Sequence, residues 1–241
     1  MKAAESLYRR AGALTPHSDF DAFNRKDLCE FLLDRGRYAE ALTAARALIS
    51  SPFALARSAG HSLAGNALLA LNKPTDATQE LDLAEKEAAT LPPNEGPAAR
   101  LYVAMLRVHL QMVQRSPDAQ SLLQRIAKRI VAENGPDAWI QGLYELERIN
   151  RTARSIGDWG IAKQFAALMF ERAPEYAGAH YAVALSAQHD GETQIAASEF
   201  ALAGKAWANA DADLPELREI QAGRGGGRRK SPSDLKGTTG N

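Results

Sequence analysis

"IGDWGIAKQFAALMFERAPEYAGAH" (156–180) is followed at 189–211 by "HDGETQIAASEFALAGKAWANAD", and the two stretches carry one pattern written twice. Gly157 recurs as Gly191, Ala162 as Ala196, Ala166 as Phe200 and Met169 as Ala203, each 34 residues further on. A fixed period of about 34, with small residues at set phases, predicts stacked helix–turn–helix units. Positions three and four apart share one helical face, so the small residues mark where a neighbouring backbone can come close.

The same scheme extends outward in both directions. Residues 20–52 supply a full unit, with Leu28, Cys29 and Leu32 on the first helix, a turn at Gly36, then Tyr38, Ala41, Ala45 and Leu48 on one face of the second. Pro52 ends it, because proline cannot continue a helix. Residues 53–90 repeat the pattern through Ala64, Gly65 and Leu68, then Ala77, Leu81 and Ala84, with "NKPTD" as the turn. "LPPNEGP" (91–97) breaks the run with residues that stop helices. Residues 97–133 form a degenerate unit. Aligning Ala119 with the signature alanine puts Arg107 at the small-residue phase and stretches the spacing from Ala77 to 42, which predicts a widened helix crossing. Residues 137–174 and 176–209 regain the pattern, and a short helix at 213–221 caps the end. At the other end, Ala4, Tyr8, Ala11 and Pro16 read as the second helix of a half-unit at 3–16. That half-unit is either a cap, since terminal repeats are atypical, or the sign of a longer array. No stretch alternates with period two, so no strand is expected.

These residues resemble the tetratricopeptide repeat (TPR) family over about 3–209. The resemblance implies an all-α, right-handed superhelical solenoid of antiparallel helix pairs, whose first helices line a concave groove that holds a peptide or helix. It implies a non-catalytic protein-binding adaptor. The alternative it leaves is a regulatory or scaffolding array at the C-terminal end of a larger enzyme or transcription regulator. The groove positions would be Phe23, Lys26, Glu30 and Leu33, then Asn66 and Leu69, then Tyr144, Glu147, Arg151 and Arg154, then Tyr181, Leu185 and Gln188. Aromatic, apolar and basic groups together suit a segment with some acidic character. The family members that clamp a terminal carboxylate use paired Lys/Asn and Lys/Arg positions. Lys26 matches one of them, but Glu30 stands where asparagine is needed, so that activity is not expected.

Composition excludes several other classes. Hydrophobic residues make up 45% and charged residues 24%, as in an ordinary globular chain, and formal net charge is +0. No run of about 18 apolar residues occurs, and "MKAAESLYRRAGALTPHSD" lacks the apolar core of a signal peptide, which predicts a cytoplasmic protein without membrane insertion. Cys29, alone of its kind, can form neither an internal disulfide nor a cysteine zinc cluster, and its phase predicts a buried packing residue. His61 and His180 fall where the family often has tryptophan and are expected to pack with one polar end satisfied. No H-E-x-x-H, Walker loop, G-x-S-x-G or dinucleotide fingerprint appears, so no metal, cofactor or catalytic residue is expected. "GRGGGRRKSPSDLKGTTGN" (223–241) is glycine-rich and basic, so the segment from 222 is expected to be disordered. Its arginines leave a weak route to nucleic acid, Ser231 before Pro232 could accept phosphate, and an exposed terminal face could join two copies of the chain.

Overall fold

A computed structural model describes residues 2–14, 18–132, 138–212 and 214–226. Among them are twelve α-helices and no strand: α1 (Lys2–Leu14), α2 (Asp19–Asp34), α3 (Tyr38–Ile49), α4 (Ala54–Ala70), α5 (Pro74–Ala89), α6 (Gly96–Val113), α7 (Ala119–Ala132), α8 (Ala138–Ser155), α9 (Trp159–Arg172), α10 (Ala177–His189), α11 (Thr193–Ala206) and α12 (Pro215–Gly226). Pro16 and His17, and the tail from 227 onward, lie outside the described residues. The capping helix continues to Gly226, past the Ala222 boundary drawn from composition.

One turn recurs in every pair. Gly36, Asn72, Arg115, Gly157 and Gly191 all take a positive φ just after the first helix of their pair. Glycine adopts this left-handed conformation without a Cβ clash. Asn72 and Arg115 hold it at some cost in strain, since only glycine and occasionally asparagine visit it freely. One detail differs from the sequence expectation here. Pro74 is the first residue of α5 rather than part of the turn, a place where its missing N–H costs nothing. Trp159 likewise opens α9, capped by the Asp158 carboxylate, which accepts from the Ile161 N–H at 3.0 Å.

The helices pack in neighbouring pairs. Each even-numbered helix from α2 to α10 touches the odd-numbered helices beside it in sequence, and α2, α4, α6 and α8 each also touch the next even-numbered one. Small residues set these approaches. Ala41, Ala45, Ala64, Ala77, Ala84, Ala162 and Ala196 are all buried, as is Cys29. At Gly65 an added Cβ would fall 2.5 Å from the Leu106 side chain, so α6 presses a leucine into a gap in α4. The neighbouring Arg107 points its guanidinium out to Glu85 at 2.5 Å. Replacing Ala162 or Ala196 with phenylalanine should cost about 1–3 kcal/mol or more from overpacking. A thermal melt checks this, and an unchanged midpoint for both variants would contradict the packing.

Three polar side chains are paired across helices. His61 Nδ1 lies 2.6 Å from Glu80 and His180 Nδ1 lies 2.7 Å from Glu199, the same spacing of 19 residues in two pairs. Asn150, fully buried, donates to the Ala162 carbonyl at 2.6 Å and ties α8 to α9.

Candidate functional site

α8 is amphipathic, and its two faces have different tasks. Leu143, Leu146, Ile149 and Ala153 recur at helical spacing and enter the largest apolar cluster. The other face carries Glu147, Arg148, Arg151 and Thr152, which reach Tyr176, α2, α12 and α6.

Asp34, the last residue of α2, is the anchor of this face. Its carboxylate accepts from Arg148 Nε at 2.8 Å and Nη2 at 3.0 Å, and its backbone carbonyl accepts from Arg151 Nη1 at 3.0 Å. Residues 114 apart in sequence are joined by this two-point contact. Burial pulls the Arg148 pKa down, but Asp34 outweighs it, so the group stays cationic. A guanidinium at the end of α2 also meets the negative end of the helix dipole.

Arg151 is shared three ways. Besides the Asp34 carbonyl it reaches Glu147 at 3.2 Å and Glu216 of α12 at 3.3 Å. Burial pushes the Glu147 carboxyl up, while Arg151 and the Tyr176 hydroxyl, which donates to it, work the other way. Arg154 is different. Its Nε donates to Asn150 at 3.0 Å and its guanidinium lies 5.7 Å from the Tyr181 ring centroid, yet no carboxylate pairs with it among the described residues. Burial and the Arg151 charge both press its pKa down.

α12 lies against this same face. Glu216 and Glu219, three residues apart and so on one side of the helix, meet Arg151 and the Tyr181 hydroxyl. Ile220 packs with Tyr181 and Ala203, beside Phe200 and Trp207.

The predicted groove residues therefore divide into four groups. Glu147, Arg151, Arg154 and Tyr181 gather around α12. Lys26 and Glu30 are drawn together with Asp27, at 3.7 and 2.7 Å from the ammonium, and Lys26 also stands over the exposed Phe23 ring. Tyr144 is exposed, and so is Gln188, the latter far along α10. Asn66 lines a cavity of about 340 Å³ where the last turns of α2, α4, α6 and α8 meet. Leu33, Leu69, His109, Arg148 and Thr152 also line it. His109 Nδ1 lies 2.7 Å from the Thr152 hydroxyl.

Asp34, His109, Arg148 and α12 did not emerge from the sequence as site components. His109 and Thr152 are 43 residues apart, and so are Asn66 and His109, a spacing that could have revealed the trio. Cys29 is inert here. Its Sγ donates to the Ala41 carbonyl at 3.3 Å, and burial pushes the thiol up to about 12, far from a reactive thiolate. No group of three or more metal-ligating side chains occurs among the described residues, and none of their helices is long and apolar enough to cross a membrane.

Compared with known proteins, the chain matches no family model and no curated sequence.

Proposed function

We propose that the chain is a TPR-like superhelical array that acts as a non-catalytic adaptor, and that its even-numbered helices form a groove for a helix bearing acidic residues. The ordering of contacts supports the architecture, since each helix meets its sequence neighbours and the first helices run side by side. The observation that carries the binding mode is α12. It rests on Arg151 and Tyr181 through Glu216 and Glu219, with Ile220 between apolar and aromatic groups. Helix-in-groove recognition uses such a combination, apolar anchors flanked by matched charges. Arg154, half-buried and without a paired carboxylate among the described residues, adds attraction for a further acidic group.

A charge-swap cycle tests this in the intact chain. Arg151→Glu and Glu216→Arg should each raise amide exchange throughout α12. The double variant should recover protection, with a coupling of about 1 kcal/mol for this partly buried pair. Exchange in the double variant at least as fast as in both single variants would reject the assignment.

A further inference from the structure

Arg151 holds two carboxylates with one nitrogen. Its Nη2 donates to Glu147 Oε1 at 3.2 Å and to Glu216 Oε1 at 3.3 Å. A guanidinium–carboxylate bond is ordinarily about 2.7–2.9 Å long. Arg148 reaches Asp34 at 2.8 Å and Arg57 reaches Glu87 at 2.9 Å, both within that range. Arg151 does not come so close to either glutamate. Its Nη1 is engaged by the Asp34 carbonyl, and Nη2 stands between a glutamate of its own helix and one of α12.

Neither carboxylate is well served by water. The Glu147 and Glu216 side chains keep only 19% and 12% of their surface. Glu147 gives its other oxygen to the Tyr176 hydroxyl. Glu216 Oε2 is buried without a hydrogen-bond partner among the described residues, and Arg151 is the cation beside it. The other titratable groups around Glu147 come from several elements. α2 ends in Asp34, whose charge is met by Arg148. α8 adds Tyr144 and Arg154. Tyr181 of α10 and Glu219 of α12 bond to one another beside Arg154, and Tyr38 opens α3 near Arg151.

We propose that Glu147 competes with Glu216 for Arg151, so that neutralising Glu147 tightens the hold on α12. This rests on the reading of α12 as the helix resident in the groove, and it supplies the regulation of that seat. With Glu147 ionised, the guanidinium is divided, and an acidic helix is held loosely enough to be exchanged for another. With Glu147 neutral, Arg151 can close on Glu216. The electrostatics run the same way. Burial pushes the Glu147 carboxyl up, Arg151 and Tyr176 pull it down, and the charges of Asp34 and Glu216 push it up again. Coupling between two sites is reciprocal, so the penalty that Glu216 places on ionised Glu147 is one that ionised Glu147 places on α12. Seating α12 raises the Glu147 carboxyl. The added hold is therefore present below its value in the open state and is lost as pH rises through its value in the seated state.

Hydrogen exchange of α12 in the intact chain tests this, expressed as protection factors so that the intrinsic pH dependence of exchange cancels. Glu147→Gln removes the charge and keeps an oxygen for the Tyr176 hydroxyl. Protection of α12 should rise about fivefold or more, the lower end of ordinary couplings between sites. A glutamate that merely supported the structure would give lower protection when replaced, and lower or unchanged protection overturns the proposal. In the unmodified chain, protection of α12 should increase as pH falls from 7 to about 5, where an ordinary carboxylate is still mostly ionised. Glu147→Gln should abolish that increase. The profile of the unmodified chain stands as a test whether or not the variant folds, and a flat or falling profile overturns the proposal. Repeating the charge-swap cycle with Gln at 147 separates the two readings. A coupling between Arg151 and Glu216 that grows supports the competition. A coupling that is present but no larger overturns the competition and leaves the groove reading standing, whereas no coupling in either background overturns both.

Discussion

Replacing Phe165 with alanine is expected to lower the unfolding free energy by about 3–5 kcal/mol. The side chain is completely buried and is the largest of those with almost no exposure. It belongs to the cluster that joins α6, α7, α8, α9 and α10, among Leu146, Ile149, Ile130 and Met169. Neighbours on several helices cannot all close over the gap, so the loss combines transfer energy with a residual cavity. Phe170 provides the control. It lies on the same helix at 37% exposure and touches the His180 ring edge-on, so its alanine variant should lose far less. Urea unfolding of both variants measures the difference. Equal losses would mean that α9 does not bury the face described.

Acid should destabilise the fold through His109. In the unfolded chain the ring titrates near 6.5, while in the fold burial and the Arg148 charge lower it to about 4. Between these values the unfolded chain takes up a proton that the folded chain refuses. Stability is therefore highest above the unfolded value and is lost as pH falls from 6.5 toward 4. The shift corresponds to about 3 kcal/mol. His109→Gln removes the titration and can still bond Thr152. The stability difference between the two proteins should move by about that amount across the window, to the disadvantage of the unmodified chain. Carboxylates such as Glu5, Glu40 and Glu87, held low by arginines, lose their partners in acid in both proteins and cancel in the comparison. A constant difference from pH 7 to 4 would show that His109 protonates freely in the fold.

Much of the helical order was readable because it is written locally. The glycines at 36, 157 and 191 and the alanines at 41, 77, 162 and 196 mark turns and close approaches, and each reports on residues only a helix away. Arg115 was unreadable by the same logic, since it takes a left-handed turn for which arginine carries no signature. Arg107, at the small-residue phase, turns outward to Glu85, and α6 and α7 touch less than the helices of the other pairs. The site was less legible. The resemblance put Tyr144, Glu147, Arg151 and Tyr181 among the groove positions, but it named none of their partners. Asp34 reaches Arg148 only because α2 and α8 come together, and that depends on how successive pairs rotate rather than on any local pattern. The same holds for α12, whose Glu216 and Glu219 look like the solvated face of a capping helix until Arg151 and Tyr181 are placed beneath them.

The central claim is that the even-numbered helices bind an acidic helix. It is tested most directly by ending the chain at Ala212, confirming helicity by circular dichroism, and titrating in a fluorescent peptide of residues 213–226. Saturable binding to the shortened chain, weaker binding to the intact chain whose own α12 competes, and a loss of about tenfold or more with Arg151→Glu are the predicted results. A folded, shortened chain that leaves the peptide free, or binds it equally well with Arg151→Glu, would contradict the account.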